Sequence, residues 1–147
     1  MKWITRSHVH VDRVACPWLI SRFVDSEAEF VFCAASQVLD MAQTLGATPF
    51  DVGGKALPLD HKDGKCTFEA IIECYALRDP ALQTLAQIVH GADVADAPNK
   101  HPFSDALEAL ATGYSLRFPE DLENMENQFP VYDALYAWCR LKAESAR

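Results

Sequence analysis

The hydrophobic and polar positions of this chain follow two successive patterns. "KWIT" near the N terminus, "EFVFC" at Glu29–Cys33 and "TPFDV" at Thr48–Val52 are short aromatic or β-branched runs, which are typical of strands. After Cys66 the apolar residues recur three and four positions apart, as in "FEAIIECYAL", "ALQTLAQIVH" and "VYDALYAWCRLK", which predicts amphipathic helices. This order favours an α+β fold, with a small early sheet followed by a helical bundle, in one compact domain over residues 1–147.

Capping residues and prolines predict where the helices begin and end. Asp79 followed by Pro80 is typical of an N-cap and a first helical residue, because the N–H group that proline lacks has no partner at that position. The same reasoning places Pro17 at the start of a helix and makes Cys16 its N-cap. We also expect N-caps at Ser36, Thr67 and Ser104, first positions at Pro119 and Pro130, and helix ends at Gly46 and Gly91.

Composition narrows the functional classes. The chain has 147 residues, 13 of them basic and 21 acidic, so its net charge of −8 repels phosphate backbones. Since no Lys/Arg cluster is visible, we expect no direct binding to nucleic acid. No apolar run approaches the roughly 18 residues of a membrane span, and the N terminus has no secretory signal, which favours a cytoplasmic protein that does not bind a membrane. The five cysteines form no CxxC pair, which is typical of free thiols.

The stretch "DRVACPWLISR" contains the first candidate site. As an N-cap, the Cys16 thiol lies at the positive end of the helix dipole and near Arg13, which favours a nucleophilic, metal-binding or redox-active thiolate. Alternatively, the free amides of the same turn and Arg13 hold an oxyanion, with Asp12 and Trp18 beside it. The simplest alternative is structural: Asp12 and Arg13 pair with each other or with neighbouring residues, while Cys16 and Trp18 belong to the core.

The segment "DHKDGKCTFE" contains a second candidate, a metal site. His61 lies in a polar, glycine-containing loop, Cys66 at a helix start, and Glu69 three residues further on the same side of that helix. Imidazole and sulfur ligands favour zinc or iron, whereas carboxylates favour manganese or iron. The alternative is a solvated loop followed by a glutamate that the helix dipole stabilises.

In "VHGAD" a histidine at a predicted helix end is followed by an aspartate. His90 follows Gln83 and Gln87 on the polar side of its helix, so we expect it outside the core. His90 and Asp93 are then metal ligands or an acid/base pair in a cleft, although a helix C terminus is by itself a sufficient reason for a protonated histidine. The sequence has no Walker A loop, GxGxxG, GxSxG or HExxH motif, and we expect no nucleotide cofactor.

At these residues the sequence resembles a known family. "VDRVACPWLISRFVDSEAEF", "GATPFDV", "CTFEAII", "IVHGAD" and "VYDALYAWC" are similar to the chromate-resistance domain family, seen as the C-terminal part of ChrB-type chromate-resistance regulators and as free-standing proteins. The resemblance implies a bacterial cytoplasmic protein associated with chromate resistance. In full-length regulators of this family, DNA binding is attributed to an additional N-terminal region. We do not expect that region, or its DNA binding, in this chain. The family pattern coincides with Asp12, Arg13, Cys16, Pro17, Trp18, His61, Cys66, Phe68, Glu69, His90, Gly91, Ala92 and Asp93.

These observations lead to one principal hypothesis and two alternatives. In the principal hypothesis the domain senses or handles chromate in a polar cleft formed by the three stretches, where Arg13 holds the oxyanion and Cys16 is a redox partner. The ligands of a zinc, iron or manganese ion are then His61, Cys66, Glu69, His90 and Asp93. The alternatives are a metal-dependent enzyme of small-molecule metabolism or oxidative defence, and a non-enzymatic interaction domain whose aromatic C-terminal helix forms a homodimer or docks a regulator.

Overall fold

Three short parallel strands form the sheet. In the computed structural model, which describes residues 1–53 and 57–146, β1 (Lys2–Arg6) lies between β2 (Glu29–Cys33) and β3 (Thr48–Pro49). Because both strand pairs are parallel, the carboxyl ends of the strands lie at one edge of the sheet. Side chains that follow the strands therefore meet at that edge, and this meeting positions the candidate site.

The described residues also form six α-helices, one of which connects β1 to β2. They are α1 (Val11–Leu19), α2 (Val38–Leu45), α3 (Thr67–Cys74), α4 (Pro80–Asp93), α5 (Ser104–Arg117) and α6 (Asp121–Ser145). A hydrophobic cluster extends from Trp3 in β1 to Cys139 in α6, so the sheet and the helices share a core. The predicted α+β fold, with an early sheet followed by helices, is confirmed. Within residues 1–53 and 57–146, no helix is both long and apolar enough to cross a membrane.

Two local signals define helix ends as expected. The Asp79 carboxylate accepts a hydrogen bond from the Ala81 N–H group at 2.9 Å, and Pro80 is the first residue of α4. Gly46, with a φ of 64°, ends α2 in the left-handed conformation that glycine adopts without strain. Both predictions are confirmed because each signal acts within one helical turn.

The predicted helix start at Pro17 is wrong. α1 begins at Val11 and contains Pro17, so Cys16 is an interior residue and not the N-cap. The segment just before α1 is fixed by a residue distant in sequence: Asp121 of α6 accepts a hydrogen bond from the Val9 N–H group at 2.9 Å. Eight of the nine residues of α1 are buried. This burial outweighs the cost of about 3 kcal/mol for a proline inside a helix.

Other predicted boundaries are also wrong. Pro130 lies inside α6, and Gly91 lies inside α4, which continues to Asp93. A Cβ at Gly91 would be 2.3 Å from Ser104 Oγ, so this glycine allows α4 and α5 to approach closely. Ser104 is the first residue of α5, and its hydroxyl donates to the Ile88 carbonyl at 2.9 Å instead of capping the helix. The remaining differences are Ser36, inside a 3₁₀ turn (Ala35–Gln37), Pro119, before the α6 N-cap Glu120, and Val52, beyond the end of β3.

Candidate functional site

Three carboxylates surround one imidazole at the edge of the sheet. Asp12 lies in the first turn of α1, Asp51 follows β3, and Asp93 is the last residue of α4. The Nε2 atom of His61 is 3.0 Å from Asp93 Oδ2, 3.3 Å from Asp12 Oδ2 and 3.4 Å from Asp51 Oδ1. Four segments that are distant in sequence thus converge on one point. We call Asp12, Asp51, His61 and Asp93 the acidic cluster.

The loop that carries His61 is held by the neighbouring residue Asp60. The buried Asp60 carboxylate accepts hydrogen bonds from the N–H groups of Val52 and Gly53, each at 3.0 Å. It also accepts one from the His61 N–H group at 2.8 Å. These bonds tie the loop to the segment after β3 and place His61 over the acidic cluster, while 42% of its side chain stays exposed.

Asp51 has the largest number of donors in the acidic cluster. Its Oδ2 atom is 3.2 Å from Arg6 Nη2 and 3.3 Å from Arg13 Nη1. Its Oδ1 atom accepts a hydrogen bond from the Thr67 hydroxyl at 2.7 Å. Burial raises the pKa of Asp51, but hydrogen bonds from His61 and Thr67 and the two guanidinium charges outweigh it, so the pKa lies well below its usual range. Asp51 is therefore ionised, and both of its oxygen atoms already have partners.

Asp12 and His61 bind protons more tightly than isolated side chains do. Burial raises the pKa of Asp12 to about 7 despite its hydrogen bond with His61. Hydrogen bonds with Asp12, Asp51 and Asp93 raise the pKa of His61 to about 12. The single N–H group at His61 Nε2 faces three carboxylates, however, and one proton makes a good hydrogen bond with only one of them. A divalent cation in this place would contact several oxygen atoms and the nitrogen at the same time.

A second group of metal-ligating side chains lies at the N terminus of α3. His90 Nδ1 is 2.6 Å from Glu69 Oε1, and the same oxygen accepts a hydrogen bond from the Cys66 N–H group at 3.0 Å. Cys66 is the N-cap of α3, so the prediction that Thr67 caps this helix is wrong. The Thr67 N–H group instead donates to Asp12 Oδ2 at 2.8 Å, which joins this group to the acidic cluster. We call Cys66, Glu69 and His90 the thiol cluster.

Both clusters have the spacing of metal sites. The ligand atoms of Asp12, His61 and Asp93 lie within 4.8 Å of one another, and the same is true of the thiol cluster. The mainly oxygen ligands of the acidic cluster suit manganese or iron, whereas the sulfur, nitrogen and oxygen of the thiol cluster suit zinc or iron. Burial raises the pKa of the Cys66 thiol well above its usual range, so without a cation this ligand is protonated.

A cavity of about 460 Å³ adjoins the thiol cluster. Glu69 and His90 form one wall, and the loop 97–102 between α4 and α5 forms another. This loop contributes Lys100 and His101 to the lining. We call this space the loop cavity. Because His90 lines the loop cavity and also belongs to the thiol cluster, a ligand in this cavity has direct access to the thiol cluster.

Comparison with known proteins identifies the family. The profile of the family described as "ChrB, C-terminal domain" matches residues 3–139. The chain belongs to the ChrB C-terminal domain family. Protein ChrB of Cupriavidus metallidurans is 34% identical to it over 137 residues, which are 92% of this chain and 40% of that relative. The chain therefore spans less than half the length of this curated relative. No solved structure is significantly similar to the chain.

Six of the predicted site residues lie in the two clusters. Asp12, His61 and Asp93 meet in the acidic cluster, and the predicted ligands Cys66, Glu69 and His90 make up the thiol cluster. Arg13 reaches the acidic cluster through Asp51, and its Nη2 atom donates to the His8 carbonyl at 2.7 Å. The ligands that the sequence predicts for one ion are therefore divided into two neighbouring sets.

The two remaining predicted residues, Cys16 and Trp18, belong to the core. The Cys16 thiol is fully buried at 3.8 Å from Asp12 Oδ1, and burial raises its pKa well above the usual range. The activated thiolate expected at a helix N terminus therefore has no structural basis. Trp18 is 1% exposed, its indole N–H group donates to Asp133 Oδ1 at 2.7 Å, and its ring packs against Tyr136. Arg22 contacts the same Asp133 carboxylate.

Sequence reasoning missed Asp51 and Arg6, which the structure places at the carboxyl ends of neighbouring strands. Arg6 is the last residue of β1, and its Nε atom donates to the Asp51 carbonyl at 2.8 Å. A signal existed, because both residues lie at or just after predicted strands, where parallel pairing brings side chains together. Asp51 also has a φ of 48°, a left-handed conformation that aspartate tolerates better than most residues.

Proposed function

We propose that this chain is a cytoplasmic protein associated with chromate resistance, and that its acidic cluster binds a divalent transition metal and, next to it, an oxyanion. Membership of the ChrB C-terminal domain family supports the association with chromate resistance. The geometry of the acidic cluster supports the metal. Because the matched residues are 40% of Protein ChrB, the proposal concerns the domain and not the activity of a whole ChrB protein.

The observation that carries the metal proposal is the approach of three carboxylates to one imidazole nitrogen, at 3.0 to 3.4 Å. Two arginines offset the charge of Asp51, whereas His61, with one proton at Nε2, is the only cationic partner of Asp12 and Asp93 among the described residues. Replacing that proton by Mn²⁺, Fe²⁺ or Zn²⁺ would supply a second positive charge and allow Asp12, His61 and Asp93 to bind at once. Asp51 is then a positioning residue, since its oxygen atoms are already hydrogen-bonded.

The thiol cluster is the weaker candidate for the first ion. Glu69 Oε1 already has two partners, the Cys66 N–H group and His90 Nδ1, and the Cys66 thiol must lose a firmly held proton before it ligates. In the thiol cluster one imidazole nitrogen thus faces one carboxylate, whereas in the acidic cluster one imidazole nitrogen faces three. We therefore assign the first metal ion to the acidic cluster and a second, weaker one to Cys66, Glu69 and His90.

The oxyanion part of the proposal depends on the metal and on Arg13. A chromate-like dianion is repelled by the ionised carboxylates unless a cation offsets their charge. The Nε atom of Arg13 is buried and has no hydrogen-bond partner among the described residues, so this guanidinium keeps one unused donor beside the acidic cluster. Cys16 has no part in the proposal because its thiol is protonated and enclosed.

Metal uptake by purified protein tests the proposal. Isothermal titration with Mn²⁺, Fe²⁺ and Zn²⁺, the iron titration being anaerobic, should give near-stoichiometric binding, which elemental analysis then confirms. His61→Ala and Asp93→Asn each remove a ligand and should weaken binding by about 100-fold or more. Asp105→Asn is the matched control, because that side chain is 91% exposed on α5. Absence of uptake by the unaltered protein, or equal affinity in His61→Ala, would contradict the proposal.

A metal-dependent enzyme is the second candidate function. The observation that favours it is the Glu69–His90 pair on the wall of the loop cavity: the bond to Nδ1 orients the imidazole and leaves Nε2 for proton transfer. Turnover of small ester, phosphate or superoxide substrates by the metal-loaded protein would support this function if Glu69→Gln abolished it while the acidic cluster kept its metal. Turnover that is unaffected by this substitution would count against it.

Homodimer formation through the C-terminal helix stays a prediction. Within the chain, Tyr132 of α6 is fully buried, and Trp138 packs against Phe103 with the ring centroids 4.8 Å apart. These aromatic residues therefore already have packing partners in one chain. Light scattering on the purified protein measures the oligomeric state directly.

A further inference from the structure

We infer that the loop cavity is a binding site for a small anion, whose oxygen atoms accept hydrogen bonds from Lys100 and His101 and contact His90. The cavity of about 460 Å³ lies in the size range of small-ligand sites, which is roughly 300–1,000 Å³. Because it gives the oxyanion of the proposed function a binding place, the inference rests on that function. Its own support is the arrangement of donors around the cavity.

The charge of the lining differs from that of the whole protein. The chain carries a net charge of −8, yet the lining contains one lysine and two histidines against a single carboxylate, that of Glu69. The Glu69 carboxylate is occupied by His90 and by the Cys66 N–H group. Because its only carboxylate is occupied in this way, the cavity lining offers donors without a free carboxylate in an otherwise acidic molecule, which favours an anionic ligand.

Lys100 is positioned by the close approach of α4 and α5. A Cβ at Gly91 would be 3.3 Å from Lys100 Cγ, so the aliphatic part of this lysine lies directly over the helix that carries His90. Its ammonium group is 4.0 Å from Asp105 Oδ1, and the Asp105 side chain is 91% exposed. A contact this long with a solvated carboxylate is weak. The ammonium group can therefore exchange it for a ligand in the cavity.

In each of the two histidines a neighbouring group occupies Nδ1, so Nε2 is the nitrogen that can contact a ligand in the cavity. His101 Nδ1 accepts a hydrogen bond from the Phe103 N–H group at 3.1 Å, so a neutral His101 carries its proton on Nε2 and is a donor there. Its ring packs edge-on against Phe103 and Trp138, which limits its rotation. His90 Nδ1 is bonded to Glu69, which leaves Nε2 as the ring nitrogen that can contact a ligand.

The cavity lies beside the proposed metal site. His90 and Asp93 are three residues apart on α4, so their side chains lie on the same side of the helix. A metal ion at the acidic cluster would add positive charge near the anion. Metal and anion are thus expected to strengthen each other's binding, and the donors of the loop cavity should bind the anion even without the metal.

Titration with sulfate and acetate tests this inference. Sulfate has the charge and tetrahedral shape of chromate without its oxidising power, whereas acetate represents carboxylate ligands. Each anion is titrated calorimetrically into metal-free and Mn²⁺-loaded protein. Lys100→Gln and His90→Gln should each weaken the preferred anion about tenfold or more, while Lys100→Arg and the control Lys2→Gln should leave its affinity within about twofold.

The outcomes separate this inference from the proposed function. Anion binding that is lost in Lys100→Gln supports the inference even if no metal is taken up, in which case the metal proposal alone fails. Anion binding that needs Mn²⁺ and persists in both Lys100→Gln and His90→Gln places the anion on the metal and overturns the inference. Absence of binding of either anion to unaltered protein, with and without Mn²⁺, also overturns it.

Discussion

Replacing Gly91 by alanine should destabilise the protein, although alanine is usually the better helix residue. A Cβ at this position of α4 would lie 2.3 Å from Ser104 Oγ and 2.8 Å from Ser104 Cβ. Ser104 is fully buried, and its hydroxyl donates to the Ile88 carbonyl at 2.9 Å. The serine side chain cannot rotate away without losing this bond, and its Cβ moves only with the backbone. α4 and α5 must therefore separate.

The expected loss of unfolding free energy is about 2 kcal/mol. Overpacking in a tight contact costs about 1–3 kcal/mol. Weakening of the Ser104 hydrogen bond adds about 1 kcal/mol. The intrinsic preference of a helix for alanine over glycine returns about 1 kcal/mol. Steric overlap thus decides the sign, and the unfolding midpoint should fall visibly in a urea titration.

Gly113 provides the matched control. It lies inside α5, and no atom outside its own helix turn lies within 4 Å of an added Cβ. Gly113→Ala should therefore stabilise the protein by up to about 1 kcal/mol. Urea unfolding of both variants at one pH and protein concentration makes the comparison. If Gly91→Ala were as stable as Gly113→Ala, the close contact between α4 and α5 would not exist, and the placement of Lys100 beside His90 would lose its basis.

Three further predictions concern the site. Asp51→Asn leaves two arginines facing a neutral group and should lower the unfolding free energy by about 3 kcal/mol in urea titration; an unchanged midpoint would contradict this role. The raised pKa values of His61, about 12, and Asp12, about 7, mean that the folded state holds protons that the unfolded state releases. The contribution of Asp12 to stability is fully present below pH 3.8 and is lost as the pH rises to about 7. The contribution of His61 is fully present below pH 6.5 and is lost as the pH rises toward about 12. Metal-free protein should therefore become less stable as the pH rises from 5 to 9. His61→Ala should show a shallower decline above pH 6.5, and identical slopes would refute the assignment. Iodoacetamide should label the exposed Cys74 of folded protein well before the buried Cys16, as mass spectrometry would show, and equally fast labelling of both would contradict the burial of Cys16.

Residue chemistry was sufficient to find much of the candidate site. Imidazoles and carboxylates in polar loops and at helix ends mark His61, Glu69, His90 and Asp93 in the sequence, and the structure brings each of them into one of two clusters. The division into two sets was not visible in the sequence. It depends on which side chains already satisfy each other, as Glu69 and His90 do at 2.6 Å. Such pairing is a property of distances in space and not of spacing along the chain.

Asp51 shows why part of the site escaped prediction. Asp51 lies within the predicted strand Thr48–Val52, and strand pairing is the only signal there, because a single aspartate has no local pattern that marks a site residue. Its importance comes from Arg6, 45 positions away in the chain, and from Thr67, 16 positions away. The parallel pairing of β1 with β3 creates the first contact, and the packing of α3 creates the second.

The sequence by itself determined the fold class, the strands β1 and β2, the family, and those helix ends that a single turn defines, such as Asp79 with Pro80. These features depend on apolar periodicity and on hydrogen bonds between near neighbours, which the order of residues specifies directly. Only the tertiary structure decided that Pro17 lies inside a helix and that Gly91 is a contact point rather than a helix end. In each case long-range packing outweighed a local preference worth about 1–3 kcal/mol, and local sequence patterns do not contain the energy of contacts between distant segments.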